Sequence, residues 1–182
     1  IQSFVTDQRR SAGYKAEGPM YLQTSPEFFM KRLLVEGSGS IFQICSAFRQ
    51  GEKGRFHNPE FAMLEWYRVG FNYLDLMTDV EAMIRSVTSL MPGIEKLSYA
   101  ELFEPFNLNP HTDTLDKIKS VATQNGMDVQ SSVELSRDDW LDLFMTHLIE
   151  PSLNHDNLVF VYDFPASQAS LAEVFTDQQG CQ

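Results

Sequence analysis

The sequence predicts a mixed α+β domain in which helices flank a mostly antiparallel sheet, and three observations predict it. Two neighbouring runs, 41–49 and 59–68, place apolar side chains with a period of two. The chain beyond them switches to the helical period of about 3.6. No linker rich in Gly, Ser or Pro separates the two regions, so one domain over residues 1–182 is expected.

In chain order, Ser25 and Pro26 read as a helix start, with serine as the cap and proline in the first helical position. Phe29, Met30, Leu33 and Leu34 form the apolar stripe and Gly37 the stop, giving a helix near 26–36. In "SIFQICSAFR", Phe42, Ile44 and Phe48 alternate with Gln43, Cys45 and Arg49 on a more polar face. In "EFAMLEWYR", Phe61, Met63, Glu65 and Tyr67 share one side and Ala62, Leu64, Trp66 and Arg68 the other. A Gly- and charge-bearing loop joins the runs, which predicts an antiparallel pair. Leu74, Met77, Val80, Ile84, Val87 and Met91 then mark a helix over 73–91, stopped by Pro92 and Gly93. Leu115, Ile118 and Ala122 mark another over 113–125, closed by Gly126. Ser136, with Asp139 three positions on, starts a third over 137–149. "NLVFVYDFP", at 157–165, reads as a buried strand leading into the proline loop "PASQASLAE".

Composition excludes several functions. The chain has 182 residues, 43% of them hydrophobic, enough for one sizeable core. Its net charge of −11 repels a phosphate backbone, so neither tRNA nor DNA binding is expected of it. Cys45 and Cys181 form no CxxC pair and have no nearby histidine, so no metal site and no disulfide framework is expected, and a reducing cytoplasm fits. No apolar run approaches the roughly 20 residues of a membrane span, and no signal segment opens the chain. The first residue is Ile1 rather than methionine, so a fragment or processed piece is expected.

The stretch "FRQGEKGRFHNPEFAMLEWYR", 48–68, carries the densest chemistry. Arg49 at a strand end can present a planar fork to a phosphate, while Glu52, Lys53, Arg55, His57 and Asn58 offer loop groups to a base edge. Phe61 can stack on a purine, and Glu65 and Tyr67, two residues apart on one strand face, can hold an ammonium. A solvated polar hairpin loop has the same composition, and spacing alone does not choose between the two.

The same stretch resembles motif 2 of the class II aminoacyl-tRNA synthetases, and "HNPEF" with "EWY" is the form of the lysyl branch. "LQTSPEFFMKRLL" is similar to that branch's amino-acid-binding segment. "EWYRVGFNYLDLM" and "VYDFPASQASLA" resemble the branch that attaches (R)-β-lysine to translation elongation factor P, and the resemblance runs from about residue 1 to residue 174. It implies a class II synthetase-like antiparallel sheet, incomplete at both ends, and an ATP-dependent ligase that forms a (R)-β-lysyl adenylate and transfers it to a lysine of elongation factor P.

By the same resemblance, Arg49 matches the arginine that meets the ATP α-phosphate and the carboxylate being activated, and His57, Asn58 and Phe61 match ATP-binding positions, Phe61 by stacking on adenine. Ser25, Pro26 and Glu27 match the segment that binds the lysine-like substrate, with Glu65 and Tyr67 as further contacts to its amines. Each has a plain structural alternative: Glu27 as complement to a helix N-terminus, Tyr67 as a core aromatic, Glu65 as a solvated strand residue.

The motif 2 loop departs from the family's usual Arg-Asn-Glu. Arg49 is followed by Gln50 and Gly51, which leaves the Gly51 backbone or Glu52 to meet the adenine amino group. Motif 1, which builds the family's homodimer, is absent, as are motif 3 and the acids that help hold magnesium, so Mg2+ ligands are expected outside this chain. Two alternatives stay open: a non-catalytic truncated paralogue acting as a binding or regulatory module, and a fragment of a lysyl-tRNA synthetase. The 182-residue chain alone is expected to be inactive and prone to associate.

Overall fold

Alternation in the first part of the chain gives paired strands, and the helical period in the second gives packed helices. The computed structural model describes residues 2–6, 19–89, 93–127 and 134–176. The chain divides into two compact units, Ile1–Thr78 and Asp79–Gln182.

In the first unit, short strands β1 (Val5–Thr6) and β2 (Met20–Tyr21) pair antiparallel, followed by helix α1 (Glu27–Val35) and a hairpin of β3 (Ile41–Phe48) and β4 (Glu60–Tyr67). The expected antiparallel pairing holds, with a register that runs from Ile41 opposite Tyr67 to Phe48 opposite Glu60. One face therefore carries Gln43, Cys45 and Ala47 with Phe61, Met63, Glu65 and Tyr67, as read from the period of two. The burial of the two faces is a surprise. The more polar face is the covered one, with Ala47 fully buried and Phe61, Met63, Glu65 and Tyr67 half-buried. Phe42 and Ile44, on the apolar face, are 74% and 68% exposed. On the covered side the segment carrying Thr24 meets the strand end, where its carbonyl accepts from Arg49 Nε.

The start of α1 also differs from expectation by one position. Pro26, buried, stands at the cap position itself and no side chain caps the helix; Ser25 Oγ lies 3.5 Å from the Glu27 amide, at the limit of a hydrogen bond. Of the predicted stripe only Met30 is buried, while Phe29 and Leu33 are exposed.

Helix α2 (Tyr73–Val87) continues the chain and is shorter than the predicted 73–91; residues 90–92 lie outside the described ones. In the second unit, β5 (Ile94–Ser98) runs straight into α3 (Tyr99–Phe103), followed by α4 (Leu115–Gln124), α5 (Arg137–Phe144) and β6 (Leu158–Tyr162). β5 and β6 pair in parallel, and β6 is half-buried rather than buried. Sequence periodicity does not reveal β5, because "IEKLS" is short and half polar. The three ladders of the described residues are two-stranded and separate, two of them antiparallel.

Capping boxes start α3, at Ser98 with Glu101, and α5, at Ser136 with Asp139 as predicted. Beyond Phe144 the α-helix gives way to a π-helical turn over Met145–Ile149 and a 3-10 turn over Glu150–Ser152. Pro151 has no N–H to extend an α-helix, and Thr146 Oγ1 donates back to the Asp142 carbonyl. Tyr99, Phe103, Ile118, Leu141 and Phe144 are fully buried in one core, with Phe103 and Phe144 ring centres 5.7 Å apart. Among the described residues no helix is long and apolar enough to cross a membrane. Cys45 is free, and Cys181 lies outside the described residues.

Candidate active site

Arg49 leaves the end of β3 with its geometry fixed from four sides. Its amide donates to the Pro59 carbonyl at 2.9 Å, extending the hairpin ladder by one rung. Its Nε donates to the Thr24 carbonyl at 3.2 Å, Nη1 lies 3.8 Å from the Glu52 carboxylate, and the guanidinium carbon sits 5.2 Å from the centre of the Phe61 ring. With Nε committed, the terminal nitrogens form a fork held at a set angle. The side chain is 24% exposed and Glu52 33%, so this ion pair contributes under about 1 kcal/mol and an incoming phosphate can replace it. Gly51, at φ +86°, makes the turn that brings Glu52 back to Arg49, and its carbonyl accepts from Lys53.

Four residues further along the same face of β4, about 13 Å away at strand rise, stands an acidic cluster. Tyr67 donates its hydroxyl to Glu65 Oε1 at 2.7 Å. Partial burial first, then the bond to Glu65 and the charges of Glu65 and Glu27, push the Tyr67 phenol well above its usual pKa. It stays neutral and a donor. The charge of Glu27, in the first turn of α1, acts on the same phenol, and its carboxylate is paired with Lys31 Nζ at 2.7 Å. Two carboxylates and a phenol within electrostatic reach of one another suit a cationic ligand with more than one N–H donor.

The structure brings Arg49, Glu52 and Phe61 together at one end, and Glu27, Glu65 and Tyr67 at the other. Ser25 and buried Pro26 link the two groups through the chain entering α1. His57 and Asn58 are exposed in the hairpin loop, where the His57 and Gly54 backbones close a small turn, and they join neither group. Gln23, Thr24 and Lys31 escape a reading of the sequence, since one contributes a backbone carbonyl and the other two have no period or motif of their own. Among the described residues no group of three or more His, Cys, Asp or Glu side chains is placed to hold a metal ion.

The family model of tRNA synthetases class II (D, K and N) matches residues 2–180. Curated relatives carry the name elongation factor P–(R)-β-lysine ligase. That of Vibrio atlanticus is 44% identical over 164 residues, covering 89% of this chain and 50% of the relative. That of Pseudoalteromonas translucida is 44% identical over 163 residues, with the same coverage. That of Vibrio cholerae is 43% identical over 163 residues, again 89% and 50%. The chain spans about half the length of the curated relatives it matches.

Proposed function

The chain belongs to the class II tRNA synthetases of the D, K and N group, and we propose that the protein carrying it activates (R)-β-lysine with ATP and transfers the acyl group to a lysine of elongation factor P. The observation that carries this reading is the single hairpin face with a fixed guanidinium and aromatic ring at one end and an acidic, amine-fitting cluster at the other. The names of the relatives support the choice of substrate and acceptor.

On this reading the adenine stacks on Phe61 and Arg49 turns its fork to the α-phosphate. The substrate's amines lie at Glu27, Glu65 and Tyr67, with Ser25 and Pro26 shaping the same segment. The substrate carboxylate attacks the α-phosphorus, pyrophosphate leaves, and a mixed anhydride with AMP remains. The amine of the acceptor lysine then attacks the acyl carbon, AMP leaves with the bonding electron pair, and an amide forms. Arg49 stabilises the charge that builds on the α-phosphate oxygens in the first step. His57, Asn58 and the Gly51–Glu52 turn contact the nucleotide from the loop. Residues 1–182 are part of a class II synthetase-like catalytic domain, and the complete protein is a cytoplasmic homodimer. A net charge of −11 favours a protein acceptor over tRNA.

ATP–pyrophosphate exchange by the full-length protein tests this. Exchange should depend on (R)-β-lysine and be weaker with α-lysine. Glu65→Gln should raise the KM for the amine substrate by about tenfold or more, with little change in the KM for ATP, because a site built to accept hydrogen bonds from the substrate's amines discriminates strongly. No exchange with either isomer would contradict the proposal.

A further inference from the structure

Gln23 holds the outer edge of β3 with both its backbone and its side chain. Its carbonyl accepts from the Phe48 amide at 2.9 Å, and its Nε2 donates to the Ser46 carbonyl at 2.9 Å. Those two strand groups are two residues apart and face the same edge, which Gln2 extends by accepting from the Gln50 amide. The next carbonyl along, that of Thr24, takes Arg49 Nε. Three residues later stands Glu27, whose charge acts on the Tyr67 phenol that donates to Glu65. Between them Pro26 is buried and its ring fixes φ, so little slack separates Thr24 from Glu27.

We propose that Gln23 is a positioning residue: it pins the strap 23–27 to β3, so that the amine cluster and the Arg49 fork move as one and each ligand tightens the binding of the other. The inference rests on the functional reading above and deepens it. A ligand that draws in Glu27 fixes the strap, and a fixed strap holds the Thr24 carbonyl that aims Arg49. By linkage, a nucleotide that engages Arg49 favours the same strap position and so the amine site. Without the Gln23 side-chain bond, a single backbone bond holds this part of the strap to β3, and the strap pivots about it.

The test is calorimetric titration of the full-length protein with α,β-methylene-ATP and (R)-β-lysine, each alone and in the presence of the other. In the wild type, saturating (R)-β-lysine should tighten the nucleotide analogue by about fivefold or more. Gln23→Ala should reduce that factor to below about twofold, while the affinity for either ligand alone changes by less than about threefold, the scale of one exposed hydrogen bond. Gln23→Lys, which still offers an N–H to the Ser46 carbonyl, should restore most of the coupling. Coupling undiminished in Gln23→Ala, or absent from the wild type, overturns the inference. So does an equal loss of both affinities together with a lowered Tm, which marks a purely structural edge contact. If Gln23→Ala does not fold, Gln23→Met is measured against the same criteria, and failure of both to fold also overturns it. A wild type that binds neither ligand refutes the functional reading itself, a result distinct from ligands that bind without coupling.

Discussion

The two units solve different problems. In the second, whole aromatic and aliphatic side chains disappear into a shared core: Tyr99, Phe103, Ile118, Leu141 and Phe144 are fully buried. In the first, the described residues that are buried are Pro26, Met30, Ala47 and Met77, while Phe28, Phe29, Val35, Phe42 and Ile44 stay exposed. What orders the first unit is directional: the hairpin ladder, the edge bonds of Gln23 and Gln2, and the anchors on Arg49. The difference teaches that the side chains expected to bind ligands are placed by hydrogen bonds and charge, and the stability that comes from packing is concentrated elsewhere.

The largest expected effect breaks the comparison on the packing side. Phe144→Ala should destabilise the second unit by about 3–5 kcal/mol, the cost of deleting a fully buried aromatic side chain. Phe28→Ser, at a position 71% exposed, should stay within about 0.5 kcal/mol. Urea unfolding of both variants measures the contrast, and equal losses would show that the first unit depends on packing as much as the second.

Next comes the chemical side. Arg49→Ala in the full-length protein should lower ATP–pyrophosphate exchange by about a hundredfold or more with the far-UV circular dichroism unchanged, as for loss of one preorganised charge contact. Arg49→Lys should also be poor, since a point charge cannot keep the Thr24 bond and the fork together. Near-normal exchange in either variant would reduce Arg49 to a structural role.

The smallest effect is a pH dependence confined to the second unit. Hydrogen bonds from the Ser98 amide and hydroxyl hold the Glu101 carboxyl below its ordinary pKa of 4.5, and those from the Ser136 hydroxyl and amide hold Asp139 below 3.8. Because these pKa values are lower in the folded state, the contribution is complete above the unfolded values and is lost as pH falls through the folded ones. Helicity followed in an acid titration should therefore begin to fall below about pH 4. Ser136→Ala should flatten part of that fall, and an unchanged profile would show that the caps do not contribute.

Much of the first unit was legible in the sequence, because a half-covered hairpin writes its period of two directly into residues 41–68. Phe61, Glu65 and Tyr67 were legible as one strand face for the same reason, and Arg49 as the arginine at a strand end, with motif resemblance supplying their roles. Other features were not. Strand β5 is too short and too polar to show a period, and its parallel partner lies more than sixty residues away. The outward position of Phe42 and Ile44 follows from which segment lies over the other face, a tertiary choice that alternation does not encode. The Thr24 carbonyl acts through a backbone bond, which leaves no mark in residue type, and the Gln23 side chain acts at a strand edge that only the fold brings beside it.

The central claim is that ligands meet the sparsely packed hairpin and not the well-packed unit. Hydrogen–deuterium exchange of the full-length protein, with α,β-methylene-ATP and with (R)-β-lysine, tests it most directly. The nucleotide analogue should protect amides over residues 49–61, and (R)-β-lysine those over residues 23–30 and 63–67. Protection confined to residues 99–168, with the hairpin unaltered by either ligand, would contradict it.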